Sequence, residues 1–198
     1  LVGNGGNDTI NGEAGNDILT GGTGNDTIDG GAGDDTITTN TGVDVITGGA
    51  GDDTVIMAAA SLTTADTVAG GAGSDTLNFT SDITFATVAT KLTNVSGFEK
   101  ILLNNSIDLT LTDNAVAQLN GGAVSVTRAN GNTAVIVIAS AVNSSSATIT
   151  VDGSSNTGNG AMNYTIGLAK DVFTGSKNVD TVTVTDDLML AATDSFSG

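Results

Sequence analysis

Aliphatic residues recur every nine positions through the first part of the chain, and polar residues flank most of them. The aliphatic residues of this phase are Ile10, Leu19, Ile28, Ile37, Ile46 and Val55. Alternation over three residues predicts a short strand with one side chain directed inward and its neighbours directed outward. A glycine-rich segment precedes most of the triplets, for example Gly48–Gly51, and predicts a tight turn between strands.

Aspartates follow the same period, two places before each aliphatic residue. They are Asp8, Asp17, Asp26, Asp35, Asp44 and Asp53. The register slips by four residues at Met57–Ala60, returns weakly in Ser61–Ala69, and returns strongly in Gly70–Asn78, where Asp75 rejoins the series. A flexible Gly/Asn/Asp-rich linker would not keep a strict phase at both positions, so the pattern favours a folded repeat.

From Phe79 onward glycine becomes less frequent and Thr, Val, Ile, Ala and Ser predominate, which indicates an all-β region. The candidate strands are Lys100–Leu103, Asp108–Thr112, Ala123–Thr127, Ala134–Ile138, Ala147–Val151, Asn163–Leu168 and Thr181–Thr185. Their spacing suits an irregular β-solenoid or a small β-sandwich. We favour continuation of the solenoid, because Leu92–Leu103 has the pattern of a solenoid coil. The expected organisation is a repeat region at 1–78 and a β-rich region at 79–198.

Composition limits the chemistry to oxygen donors and cations. The chain has 22 acidic and 5 basic residues, a formal net charge of -17, and neither Cys nor His. Such a charge repels a nucleic-acid backbone or an anionic lipid surface. Thiolate and imidazole metal ligands are absent, so hard cations are the expected metals. No apolar run approaches the roughly 20 residues of a membrane-spanning helix.

No sequence motif of catalysis is found. HExxH, GxSxG and GxxxxGK[ST] are all absent, and without His or Cys no nucleophile paired with a base can be singled out. We therefore expect this segment not to be an enzyme. The repeat is already under way at Leu1, so we expect the parent protein to extend further in the N-terminal direction.

The nonapeptides resemble the calcium-binding repeat GGxGxDxUx of RTX proteins. The six consecutive copies are Gly3–Asn11, Gly12–Thr20, Gly21–Asp29, Gly30–Thr38, Thr39–Thr47 and Gly48–Ile56. Glu13 and Thr39–Thr41 depart from the glycine positions. The resemblance covers about the first 78 residues. It implies a right-handed parallel β-roll in which two nonapeptides form one coil, so that residues eighteen apart stack at a strand spacing of ~4.8 Å.

Stacked aspartates explain why such a fold needs a metal ion. Carboxylates at this spacing repel by about 1 kcal/mol in water and by more near a protein surface. A divalent cation reverses the sign of that interaction and is coordinated by turn carbonyls that glycine allows to approach. Folding is therefore expected to depend on calcium.

The ligand sets follow from the resemblance: both aspartates, with carbonyls from repeat positions two and four of one coil and one and three of the next. The first and second sites comprise Asn4, Gly6, Asp8, Gly21, Thr23 and Asp26, and Glu13, Gly15, Asp17, Gly30, Ala32 and Asp35. The third and fourth comprise Gly22, Gly24, Asp26, Thr39, Thr41 and Asp44, and Gly31, Gly33, Asp35, Gly48, Ala50 and Asp53. A fifth comprises Gly49, Gly51, Asp53, Gly70, Ala72 and Asp75, and a doubtful sixth comprises Asn40, Gly42, Asp44, Ser61, Thr63 and Asp66. About four to six calcium ions are expected. Asp29, Asp34 and Asp52 lie outside the ligand phase and are assigned to a solvated face.

Low Lys and aromatic content, the absence of Cys and the long β-rich tail also resemble RTX-bearing surface-layer (S-layer) proteins. This resemblance implies a secreted structural protein on the surface of a Gram-negative bacterium, exported by type I secretion and self-associating into a lattice with calcium. The alternative is a C-terminal folding and secretion module of an RTX hydrolase, toxin or adhesin.

Overall fold

The computed structural model of the chain describes residues 1–58, 60–80, 92–104, 108–112, 123–128, 135–141, 148–153, 162–166, 170–175, 181–184 and 195–197. Within these residues the chain forms nineteen β-strands and one short 3-10 helix at Leu92–Asn94. No helix of the described residues is long and apolar enough to cross a membrane.

The strands of the repeat region are short and closely spaced. They are β1 (Val2–Gly5), β2 (Thr9–Asn11), β3 (Ile18–Thr23), β4 (Thr27–Ala32), β5 (Thr36–Thr38), β6 (Val45–Ala50), β7 (Thr54–Met57), β8 (Thr67–Ala72) and β9 (Thr76–Phe79). Those that follow are β10 (Val95–Ser96), β11 (Lys100–Leu103), β12 (Asp108–Thr112), β13 (Ala123–Arg128), β14 (Val135–Ala141), β15 (Thr148–Asp152), β16 (Met162–Ile166), β17 (Lys170–Thr174), β18 (Thr181–Val184) and β19 (Ser195–Ser197).

Successive strands alternate between sheets, so two strands form one coil. The odd-numbered strands form a ten-stranded sheet. The even-numbered strands from β2 to β10 form a five-stranded sheet, and the even-numbered strands from β12 to β18 form a four-stranded sheet. Every pairing among the described strands is parallel. The predicted all-β parallel β-roll is confirmed. Of the two alternatives for the second half, parallel pairing through β19 matches the solenoid, because a sandwich would pair its strands antiparallel.

The register of the first coils follows the nonapeptide period. Ile10 pairs with Ile28, and Ile28 pairs with Ile46, a spacing of eighteen residues. The next coil is longer by four residues, since Ile46 pairs with Val68. This confirms the slip predicted at Met57–Ala60.

The two coils that follow are longer still. The register joins Val55 to Leu77, Leu77 to Ile101, and Ile101 to Val126, so the coil grows from 22 to 24 and then to 25 residues. The ten-stranded sheet runs across residue 78 without interruption, and the domain division placed there stays a prediction.

The hydrophobic core is a double column of side chains between the sheets. One column stacks Leu19, Ile37, Val55 and Leu77, and the other stacks Ile10, Ile28, Ile46 and Val68. All eight are buried. Where the coils lengthen, Phe79 and Phe98 are fully buried and fill the wider interior. This is the phase predicted from the aliphatic repeat.

Several strands extend beyond the predicted triplets. β4 and β6 continue through their glycine segments, where Gly31 pairs with Gly49 and Ala32 with Ala50. The glycine backbones of successive coils therefore pair as ordinary strands do, and the pairing ends at Ala32 and Ala50, where the turn begins. β17 and β19 were not predicted, because Lys170, Asp171 and the serines of Ser195–Ser197 have low strand propensity.

Gly33→Ala is expected to destabilise the chain far more than Gly15→Ala. Both glycines have positive φ, 128° and 120°, which costs about 1–3 kcal/mol for alanine. A methyl group on Gly33 would also collide with the carbonyl oxygen of Gly15, whereas a methyl group on Gly15 meets no atom within 4 Å. Urea unfolding in saturating calcium measures the difference, and equal losses would contradict the close stacking of coils.

Candidate metal centres

Two columns of aspartates run along the stacked coils, one beside each sheet of the repeat region. The first column is Asp8, Asp26, Asp44 and Asp66, and the second is Asp17, Asp35, Asp53 and Asp75. Each lies directly before a strand, so the regular stacking of the strands sets the spacing of the carboxylates. Asp26, Asp35, Asp53 and Asp75 are at most 2 % exposed, although carboxylates are rarely buried without a partner.

From the second coil onward, one oxygen of each aspartate accepts a hydrogen bond from the preceding coil. Asp35 Oδ1 accepts the backbone N–H of Asp17 at 2.8 Å, and Asp53 Oδ1 accepts that of Asp35 at 2.8 Å. The same bond joins Asp8 to Asp26 at 3.0 Å in the other column. These bonds form what we call the inner ladder, in which the N–H of one coil donates to the carboxylate of the next.

The second oxygen of several aspartates has no partner. Among the described residues, Oδ2 of Asp8, Asp35, Asp53 and Asp75 is buried and accepts no hydrogen bond. Asp35 Oδ2 lies 2.5 Å from where a methyl group on Gly30 would lie, and the carbonyl oxygen of Gly48 from the next coil also borders that point. The absence of a side chain at Gly30 therefore leaves a small space bordered by a carboxylate oxygen and a carbonyl oxygen.

Turn carbonyls from the earlier coil point toward the later one. Methyl groups on Gly22 and Gly24 would collide with the carbonyl oxygens of Asn4 and Gly6. Carbonyls at position three point back, since Thr23 O accepts the N–H of Gly6 at 2.8 Å. The structure thus brings the predicted first-site residues together in two adjacent coils. The same arrangement recurs in full for the second, fourth and fifth sets and in part for the third, and their role as ligands stays a prediction.

Glu13, Asn4 and Thr41 keep the stacking of the regular repeats. Thr39 does not, because its carbonyl oxygen is not among the three atoms nearest to a methyl group on Gly21. Glu13 and Asn4 occupy position two with φ of 72° and 75°, the left-handed region that glycine adopts at this position in later repeats. Thr41 pairs with Thr23 through an isolated parallel bridge, and its carbonyl accepts the N–H of Gly24 at 2.9 Å.

The sixth set differs from the others. Asp44 N–H donates to Asp66 Oδ1 at 2.8 Å, so the two aspartates do lie in adjacent coils. However, Asp66 Oδ2 already accepts the N–H of Thr63 at 2.6 Å. This oxygen is less available to a cation than the free oxygens of Asp53 or Asp75.

A second ladder lies on the outside of the turns and was missed by the sequence analysis. Asp34 Oδ1 accepts the N–H of Asp52 at 2.9 Å, and Asp52 Oδ1 accepts that of Ser74 at 2.9 Å. Likewise, Asn7 Oδ1 accepts the N–H of Asn25 at 2.9 Å, and Asn16 Oδ1 accepts the N–H of Asp34 at 3.0 Å. Asp34 and Asp52 are exposed, as expected, but they also tie successive coils together. The Asn or Asp that usually occupies position five was the signal that could have predicted this ladder.

Burial and like charges disfavour ionised aspartates in the metal-free fold. The pKa of Asp53 is raised from 3.8 to about 6, mainly by burial and also by the Asp75 and Asp35 carboxylates, while the hydrogen bond with Asp35 opposes the rise. Burial likewise raises the pKa of Asp44 and Asp75, which also have carboxylate neighbours. The site therefore favours neutralisation, by a proton or by a cation.

In the absence of metal ions, we expect the free energy of unfolding to be largest below about pH 4 and to fall as the pH rises through about 6. The folded chain holds the Asp53 proton more tightly than the unfolded chain, so protonation stabilises the fold in this window. Circular dichroism and urea unfolding in a chelator, at a series of pH values, measure the trend. Asp53→Asn should flatten it, and metal-free stability that increases with pH would contradict it.

The donor set suits a hard cation. Within the described part of the chain no three acidic side chains form a metal-binding group. The gaps between coils bring together two carboxylates and turn carbonyls. Calcium takes six to eight such oxygens in a flexible arrangement, whereas magnesium demands near-octahedral geometry and retains water. The residues present fit calcium better than magnesium.

Comparison with protein families gives one finding. A family model described as the RTX calcium-binding nonapeptide repeat (4 copies) matches residues 1–28, 20–55 and 63–81. No curated protein matches the chain.

Proposed function

We propose, on the premise that the matched segments are RTX calcium-binding nonapeptide repeats, that calcium ions bind between successive coils and hold this part of a secreted structural protein folded. The ligands are the aspartates of the inner ladder and the turn carbonyls of the first five sets given above. Calcium thereby controls whether the coils stack.

The observation that carries this proposal is the unpartnered oxygen of Asp35 and of Asp53. Each belongs to a side chain only 1 % exposed, and each is directed at the start of its own glycine turn. A buried anionic oxygen without a donor is costly, because it has lost its water and gained nothing. A divalent cation beside such an oxygen interacts with it directly and neutralises the charge of the two aspartates that face the same gap between coils.

We further propose that the parent is an S-layer protein of a Gram-negative bacterium, exported by type I secretion. The chain has only 5 Lys and Arg among 198 residues and 3 % aromatic residues. Short Thr, Ala, Val and Asn side chains lose little conformational entropy when they become ordered in a contact between copies. A formal charge of -17 would keep copies apart until cations bind, so calcium can control self-association as well as folding.

Electron microscopy of the calcium-loaded parent protein tests the S-layer assignment. Two-dimensional sheets that dissolve in a chelator are the expected result, and a magnesium-loaded sample is the matched control. Discrete particles together with hydrolytic activity of the parent would instead support the alternative, a folding and secretion module of an RTX hydrolase, toxin or adhesin.

A further inference from the structure

The inner ladder continues one coil beyond the last matched repeat, through a glutamate. Glu99 Oε2 accepts the backbone N–H of Asp75 at 2.6 Å. This is the bond that Asp75 itself makes to Asp53 N–H at 2.8 Å one coil earlier. Glu99 directly precedes β11, as each aspartate of the ladder directly precedes its own strand. It therefore occupies the place of the next aspartate.

The carbonyl geometry is repeated as well. A methyl group on Gly70 would lie 2.7 Å from Asp75 Oδ2 and would collide with the carbonyl oxygen of Gly97. The equivalent point at Gly48 is bordered by Asp53 Oδ2 and the carbonyl oxygen of Gly70. Gly97 thus presents its carbonyl where the first glycine of a repeat presents its own.

The turn that carries Glu99 is shorter than a nonapeptide turn. Gly97 and Glu99 are two residues apart, whereas Gly70 and Asp75 are five apart. Gly97 has φ of 69°, a left-handed conformation that reverses the chain quickly. Glutamate has one more methylene than aspartate, and this length lets its carboxylate reach the ladder from the tighter turn.

A second, independent observation supports a cation at this point. Asp75 is fully buried, at 0 % exposure, and its Oδ2 accepts no hydrogen bond from the described residues. This oxygen and the carbonyl oxygen of Gly97 both border the point where a methyl group on Gly70 would lie. Two acceptors that converge without a hydrogen between them require a cation or a proton.

We propose that a further calcium ion binds between the coils of Asp75 and Glu99, where the last matched repeat meets the first coil beyond it. Asp75, Glu99 and the carbonyl of Gly97 provide ligands, and water completes the six to eight oxygens of the coordination shell. The Gly71 carbonyl, 3.5 Å from where a methyl group on Gly97 would lie, is a further donor at the same gap. The proposal rests on calcium binding by the repeats. Calcium binding at this site makes the folding of the first coil beyond the repeats depend on calcium as well.

Calcium stoichiometry of the full chain tests this site. We expect Glu99→Gln to bind one ion fewer than the wild type in equilibrium dialysis, at a free calcium concentration that just saturates the wild type. Glutamine keeps an oxygen that can accept the Asp75 N–H, so the coil should remain folded while the charge is lost. Asp29→Asn is the matched control, because it removes one carboxylate from an exposed position outside both ladders.

The outcomes separate the two proposals. A Glu99→Gln chain that binds as many ions as Asp29→Asn overturns the further site and leaves the repeats unaffected. A wild-type chain that binds no calcium overturns the proposed function itself. An anomalous difference map of wild-type crystals grown in calcium removes the dependence on folding of the variant. A peak between Asp75 and Glu99 is expected, and peaks confined to the aspartate pairs would refute the site.

Discussion

Removal of calcium is expected to abolish most of the β-sheet circular dichroism of the chain at neutral pH, and its return to restore the signal in one cooperative step. The buried aspartates then carry unbalanced negative charge, and their unpartnered oxygens have no ligand. Each ion adds about 2.7 kcal/mol at a hundredfold excess over its dissociation constant. Four to six such ions together contribute about 11–16 kcal/mol, which is comparable to the whole 5–15 kcal/mol that typically stabilises a domain.

Substitution of both Asp26 and Asp35 by Ala should remove most of the calcium-induced signal, since one aspartate is lost from each column. Asp29→Ala is the control, because this exposed side chain belongs to neither ladder and should titrate like the wild type. A metal-stripped sample with the same spectrum and heat resistance as a loaded one would disprove calcium-dependent folding.

Phe98→Ala is expected to lower the free energy of unfolding by about 3–5 kcal/mol in saturating calcium. Phe98 is fully buried in the first coil after the matched repeats, where the coil widens to 24 residues. Smaller side chains cannot fill that space without leaving a cavity. Urea unfolding followed by circular dichroism measures the loss.

Ile18→Ala provides the matched comparison for Phe98→Ala. Ile18 is 72 % exposed on β3, so its truncation should change stability by less than about 0.5 kcal/mol. A Phe98→Ala chain as stable as Ile18→Ala would mean that the wider coils lack a packed interior.

The core and the aspartate columns could be predicted from the sequence because both depend on one period. In every repeat the aliphatic residue follows the aspartate by two places, as Ile28 follows Asp26. The eighteen-residue register follows once two repeats make a coil. The extent of β4 and β6 could not be predicted in the same way. Glycine has low strand propensity, and only the stacking of identical turns allows it to pair.

The candidate site was predicted where the motif is regular and missed where it changes. Glu99 lies outside the nine-residue phase, and the pattern Leu92–Leu103 predicted only a solenoid coil there. A carboxylate directly before an aliphatic strand was the available signal. The outer ladder was missed because Asp34 and Asp52 were judged by the ligand phase alone, and the backbone N–H groups that they accept come from another coil.

The hydrogen bonds of the two ladders run in opposite directions along the stack, and both kinds join adjacent coils. In the inner ladder an earlier coil donates to a later one, as Asp17 does to Asp35, and in the outer ladder a later coil donates to an earlier one, as Asp52 does to Asp34. Each coil of the repeat region is therefore hydrogen-bonded to the coil before it and to the coil after it. Rupture is expected to start as fraying at an end of the stack and to advance coil by coil, in discrete steps of extension under a pulling force.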